Sequence, residues 1–168
     1  RINCVNNLKV VGLAFLTWDK EFPMQISTTN GGSLEIISDA KAFRHFQVLS
    51  NELATPKVLV CPADRKRVAA MDFLSGFNNQ NLSYFVGIEA KVNNPQMLLA
   101  GDRNLTNAPV RGGFMEITTN DLVRWTDDLH RKQGNVCLAD GSVQQFSSAR
   151  LQEAIRFTGL ATNRLAMP

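Results

Sequence analysis

From Ile2 to Trp18 apolar residues recur at the three-to-four-residue spacing of a helix. At 100° per residue Cys4, Val5, Leu8, Val11, Phe15, Leu16 and Trp18 share one broad face, with Asn3, Asn6 and Thr17 opposite. Val10 and Leu13 intrude on the polar side, so the helix carries two apolar sides, as expected of one lying against a sheet. The segment from Asp19 to Pro23 ends it, because proline disfavours helix at the residue before it.

The polar run from Ser27 to Gly32 predicts a loop. Ser38 or Asp39 then caps a second helix over about Ala40 to Leu53, with Phe43, Phe46, Leu49 and Leu53 at helical spacing. Thr55-Pro56 stops it, and Lys57 to Cys61 is expected as a short strand closed by Pro62 and Asp64. Met71 to Asn81, rich in Asn and Gly, is an irregular excursion. Leu82 to Ile88, Gln96 to Ala100 and Arg111 to Ile117 are strand candidates. Ser147 or Ser148 caps a last helix through Phe157, Gly159 ends it, and the residues onward to Pro168 are expected to dangle. Phe43, Phe46, Phe85 and Phe157 are assigned to the core.

Leu129 to Phe146 predicts two strands joined at Asp140-Gly141. Asp-Gly is a strong hairpin signal, since a type I′ turn needs positive φ at both central residues. Val136, Leu138, Val143 and Phe146 would supply the apolar face, and the hairpin a sheet edge and register. A long helix, a second helix, antiparallel strands and a short C-terminal helix, in that order, predict an α+β domain spanning residues 1–168.

With 44% apolar and 20% charged residues the chain is an ordinary globule, and 168 residues suffice for a real core. A net charge of +3 without a basic stripe gives no nucleic-acid signal. No run of about 18 apolar residues is present. The first residue is Arg1, and the helical pattern opens at once, so a further segment is expected upstream.

Cys4, Cys61 and Cys137 lack Cys-x2-Cys spacing and do not predict a zinc site. They read as small buried hydrophobes or, in an oxidising compartment, as one disulfide. Cys4–Cys61 is the favoured pair, although spacing alone does not select partners. Cys61 with His45 or His130 is the only arithmetic for a nucleophilic site, and buried packing of Cys61 is the simpler reading. No nucleophile elbow, phosphate loop or dinucleotide fingerprint occurs, so no enzyme is predicted. His130, near Asp127, Asp128 and Asp140, is expected to bond backbone beside the hairpin and fix its register. Trp125, flanked by Arg124 and Asp127, is a candidate for an exposed subunit or carbohydrate contact.

Five stretches carry a resemblance. His130 and Asp140-Gly141 form a His-x9-Asp-Gly segment, and Val60-Cys61-Pro62-Ala63-Asp64 contains Cys-Pro-x-Asp. Arg1 to Ala14 holds Cys4, Asn6-Asn7-Leu8-Lys9 and Gly12-Leu13-Ala14, while Ser83 to Gly87 and Leu99 to Asn104 match mid-chain strands. In this order they resemble type II secretion pseudopilins and type IV pilin-like proteins of the planctomycete and verrucomicrobial kind. The resemblance implies a pilin-like fold, a leader cut by prepilin peptidase and methylated, and a helix half anchored in the bacterial inner membrane. The head would then be periplasmic or extracellular. It further implies that calcium can be held near the end of the sheet, for which Asp102, Asp127 and Asp128 offer hard oxygen ligands, although no EF-hand loop is present. No other cofactor is expected.

The function so implied is a non-catalytic structural subunit. Its partners are other pilin or pseudopilin subunits and secretion machinery, and the Val5, Leu8, Val11 and Phe15 face clamps helix to sheet. The alternative is a secreted surface-binding module for carbohydrate or protein, using Trp125 and the excursion from Phe77 to Asn81.

Overall fold

The computed structural model describes residues 2–168; Arg1, the first residue of the resemblance, and the Ser38 side chain, a predicted cap, lie outside what is described. Helix α1 (Ile2–Trp18) opens the fold, at the predicted bounds. Its buried stripe is Cys4, Leu8, Val11, Gly12, Ala14 and Phe15. Phe15 is fully buried, edge-on to Phe22 and Phe46 with ring centroids 6.0 and 6.1 Å away. Val5 is half-buried at the margin of the stripe. The expected second buried side is not there: Val10, Leu13 and Leu16 are 40, 60 and 38% exposed, so the apolar stripe is narrower than drawn from sequence.

The predicted second helix is two short ones, α2 (Ala42–Gln47) and α3 (Ser50–Leu53). Backbone residues 38 and 39 belong to a 3-10 stretch, Leu34–Asp39, and the residue at the start of α2 is Lys41, which makes no side-chain capping bond. The cap comes from across the chain. Asn79 accepts from the Phe43 N–H and donates to the Ala40 carbonyl, at 3.1 Å each. The strand expected over Lys57 to Cys61 is instead a 3-10 turn, Pro56–Leu59. Pro56 stands at its first position and the Thr55 hydroxyl accepts from Lys57 N–H, a helix-start signal that overrides the β-branched composition.

Among the described residues nine strands follow: β1 (Tyr84–Gly87), β2 (Leu98–Asp102), β3 (Leu105–Thr106), β4 (Val110–Arg111), β5 (Phe114–Thr118), β6 (Arg124–Trp125), β7 (Gln133–Leu138), β8 (Val143–Ser147) and β9 (Thr162–Ala166). Seven form one sheet in the order β4-β5-β9-β1-β2-β7-β8, every pair antiparallel. β3 and β6 pair separately. Helix α4 (Ser148–Phe157) is capped by Ser147, whose hydroxyl accepts from Arg150 N–H.

The sheet is covered on both faces. Tyr84, Val86, Leu99 and Cys137 meet the α1 stripe, whereas Phe85, Leu98, Val136, Leu138 and Phe146 meet Leu151 and Ile155 of α4. Double coverage is why β1 and β2 are buried throughout rather than alternating. The residues expected to dangle do the opposite. β9 fills the gap between β5 and β1, pairing Leu165 with Met115 and with Gly87, and Ala166 with Val86. Its composition, Thr-Asn-Arg-Leu-Ala, lacks strand propensity; two open sheet edges fix it. Phe157 is also corrected, being 63% exposed at the end of α4.

The hairpin forms, but not with the predicted turn. Only Gly141 has positive φ, 81°, while Asp140 does not. Gly141 N–H donates to Leu138 O, Leu138 N–H to Ser142 O, and Asp140 Oδ1 accepts from Ser142 N–H. This is the three-residue loop in which a turn is followed by a left-handed glycine. The architecture is α+β and pilin-like: a long N-terminal helix packed on an antiparallel sheet, with extra helices in the connection and a helix near the C-terminus.

Candidate functional site

Where α1 begins, three segments distant in sequence converge on it. Cys4 faces inward from the first turn of α1, and Cys61 follows the 3-10 turn Pro56–Leu59. Their sulfurs are bonded, with Cα atoms 5.0 Å apart. Asn7, one turn further along the helix, donates to Val60 O at 3.2 Å and holds the same segment.

Cys61 is braced from its other side by a buried polar chain. Its N–H donates to Ser83 Oγ at 2.9 Å, and Ser83 Oγ donates to Asp64 Oδ2 at 2.9 Å. Asp64 closes a turn by donating its N–H to Cys61 O and takes a bidentate pair of bonds from Arg103, both 2.7 Å. Burial pushes the Asp64 carboxyl up, but the bonds from Arg103 and Ser83, the Arg103 charge and the Lys66 N–H outweigh it and hold it below the usual carboxylate range. The Asp64–Arg103 pair was not singled out from sequence. Its members stood in the Cys-Pro-x-Asp and Gly-Asp-Arg-Asn stretches, and that was the available signal.

His130 enters from the loop before β7. His130, Arg131 and Lys132 all hold left-handed backbone, with φ of 51°, 54° and 59°. Such a conformation costs roughly 1–2 kcal/mol per non-glycine residue. Asn104 helps to hold the loop: its Nδ2 lies 3.0, 3.1 and 3.4 Å from the carbonyls of Thr126, Leu129 and Gln133, within donating distance of each. That tethering is the work expected of His130. The imidazole instead turns inward, its Nε2 3.5 Å from Cys61 Sγ and 3.5 Å from Asp102 Oδ2. Asp102 Oδ2 accepts from both Asn135 N–H and Asn135 Nδ2, at 2.7 and 2.9 Å.

The calcium candidates are not brought together. Asp102 is buried in the sheet, whereas Asp128 pairs with Lys66 at 2.8 Å and Asp127 with Lys132 at 3.7 Å, both outside. Among the described residues, the group of three donors close enough to share a cation is Cys4, Cys61 and His130. Of the pieces of a nucleophilic site, Cys61 and His130 do come together, with Asp102 beside the imidazole, but the Cys61 sulfur is bonded to Cys4. His45 stands apart, buried against Ser33 Oγ at 2.8 Å.

Trp125, the candidate for an exposed contact, is 3% exposed and its ring lies against Gly134. The asparagines of the excursion are also spent internally. Asn79 caps α2, Asn81 donates to Val68 O, and Asn78 with Asn81 forms a capping box. Asp140 and Gly141 turn the hairpin beneath α1, where Leu16 covers Gly141. No helix among the described residues is long and apolar enough to cross a membrane. Neither a protein-family model, nor a curated protein, nor a solved structure matches this chain.

Proposed function

We propose that this chain is the head of a non-catalytic pseudopilin or pilin-like subunit that assembles through its N-terminal helix. The observation that carries the reading is the two-sidedness of α1. One stripe is buried against the sheet, while the opposite side carries Ile2, Val10 and Leu13, 76, 40 and 60% exposed, among the exposed Asn6, Lys9 and Thr17. A helix packed among copies of itself in a helical polymer would cover these apolar side chains, which its own head leaves in solvent. The Cys4–Cys61 bond and the Asn7 contact fasten the start of the helix to the head, where a pull along a filament would act.

On this reading a leader processed by prepilin peptidase precedes the helix, the upstream helix anchors in the bacterial inner membrane, and the head lies in the periplasm or outside the cell. Partners are further pilin-type subunits and secretion machinery. The test is expression of the native gene with and without prepilin peptidase, followed by membrane fractionation and electron microscopy of sheared surface material. The reading predicts a membrane-bound precursor shortened only when the peptidase is present, and filaments that depend on it. A soluble product indifferent to the peptidase contradicts it.

A further inference from the structure

We propose that, once the Cys4–Cys61 bond is reduced, Cys4, Cys61 and His130 form a binding site for a thiophilic divalent cation of the zinc class. The inference goes beyond the filament reading and does not depend on it. Cys4 Sγ, Cys61 Sγ and His130 Nε2 all lie within 4.8 Å of one another, and Cys61 Sγ is 3.5 Å from Nε2. Around a tetrahedral zinc, with bonds of about 2.3 Å to sulfur and about 2.0 Å to nitrogen, the sulfur–nitrogen edge is about 3.5 Å. That pair already stands at ligand spacing. Two thiolates on the same ion would be about 3.8 Å apart, close to the distance to which unbonded sulfurs relax. Cys4 sits on the first turn of α1, so a side-chain rotation there supplies the change.

The donor set selects the ion class. Two thiolates and an imidazole are the ligands of zinc and its softer neighbours, not of calcium or magnesium. Asp102 Oδ2, 3.5 Å from the same imidazole nitrogen and held by two Asn135 bonds, stands outside the three-donor group, which leaves the fourth position to a water molecule. The His130 side chain is 3% exposed and both cysteines are buried, so a bound ion would be shielded from solvent. The left-handed run His130–Lys132, tied by Asn104, keeps the imidazole aimed at the sulfurs whether or not they are bonded to each other.

The chemistry balances with a dithiol as reductant. Two electrons pass from the dithiol, which closes into its own disulfide, to the Cys4–Cys61 bond, and two protons complete the thiols. The cation then displaces both protons to solvent as two metal–thiolate bonds form. A small-molecule disulfide, taking two electrons from the two thiolates and two protons from solvent, leaves as two thiols while the Cys4–Cys61 bond re-forms and the ion is released. Disulfide and metal thus become alternative staples for the same two segments.

The test uses the full chain, reduced with a dithiol, desalted without oxygen and titrated with Co²⁺. The expected result is one equivalent bound, with thiolate-to-cobalt absorption in the near ultraviolet, tetrahedral bands in the visible, and bleaching by Zn²⁺. The oxidised chain gives none of these. Cys137→Ser leaves the spectrum unchanged, while His130→Ala weakens binding by about tenfold or more and moves the visible bands. Should the reduced chain lose structure, Zn²⁺ is expected to restore its circular dichroism and raise its melting temperature. Absence of both thiolate–cobalt absorption and zinc-dependent recovery overturns the proposal, as does an unchanged spectrum in His130→Ala.

Discussion

Gly12 of α1 and Cys137 of β7 lie so close that a Cβ at residue 12 would stand 2.5 Å from Cys137 Sγ. The helix is thereby pressed onto β7, one strand in from the β8 edge of the sheet, and the contact is made by the smallest residue on one side and a buried thiol on the other. Burial, then the Asp140 charge, pushes the Cys137 thiol up to about 12, so it remains a neutral packing group.

Gly12→Ala therefore pits two effects against each other. Alanine gains about 1 kcal/mol of helix propensity, but overpacking costs about 1–3 kcal/mol. Net destabilisation of about 1 kcal/mol is expected in urea denaturation. In a Cys137→Ala background the clash is gone and the same substitution is expected to stabilise. A destabilisation of equal size in both backgrounds contradicts this account of the contact.

The disulfide closes a loop between residues 57 apart in sequence. Chain entropy alone assigns it about 4 kcal/mol. The Cys4→Ser, Cys61→Ser double variant, measured without divalent metal, is expected to lose a comparable amount in urea denaturation. An unchanged midpoint would mean that the start of α1 is held by something else.

His45 gives the fold an acid limit. It is 1% exposed, and burial lowers it from 6.5 to about 4. The native state keeps the ring neutral where the unfolded chain binds a proton, so stability rises with pH across that window. Acidification from 6.5 to about 4 is expected to cost about 3 kcal/mol. His45→Gln is expected to flatten this part of the profile. A wild-type stability independent of pH over the window contradicts the burial argument.

Asp64 and Arg103 are 1% and 11% exposed at their side chains. Asp64→Asn leaves the guanidinium enclosed without its counter-charge, for which a loss of about 3 kcal/mol is expected. Because the Asp64 carboxyl is held below its ordinary range, the pair's contribution is present above that range and is lost as pH falls through the lowered value. This loss lies on the acid side of the His45 window. A double-mutant cycle with Arg103→Met checks the coupling.

Local signals were legible where they were strong and self-contained. α1 from Ile2 to Trp18, the Ser147 cap of α4 and the hairpin around Gly141 all follow from spacing and turn residues. Elements fixed from a distance were not legible. β9 has no strand-like composition and exists because β1 and β5 leave a gap, and α2 is capped by Asn79, 36 residues beyond Phe43. At the site, Cys4 and Cys61 were candidate partners, but the inward turn of His130 depends on three consecutive left-handed residues that no glycine announces. Trp125 was a candidate for an exposed contact because charged neighbours hid a buried ring, with Gly134 across the strand leaving room for it.

The account stands or falls on what covers the outer side of α1. In cells making the native protein, Leu13→Cys is expected to give a ladder of covalent oligomers on mild oxidation, since Leu13 is 60% exposed on that side. Glu153→Cys, exposed on α4 across the sheet, is expected to stay monomeric. Monomers from both variants, or equal ladders from both, would contradict assembly through the helix.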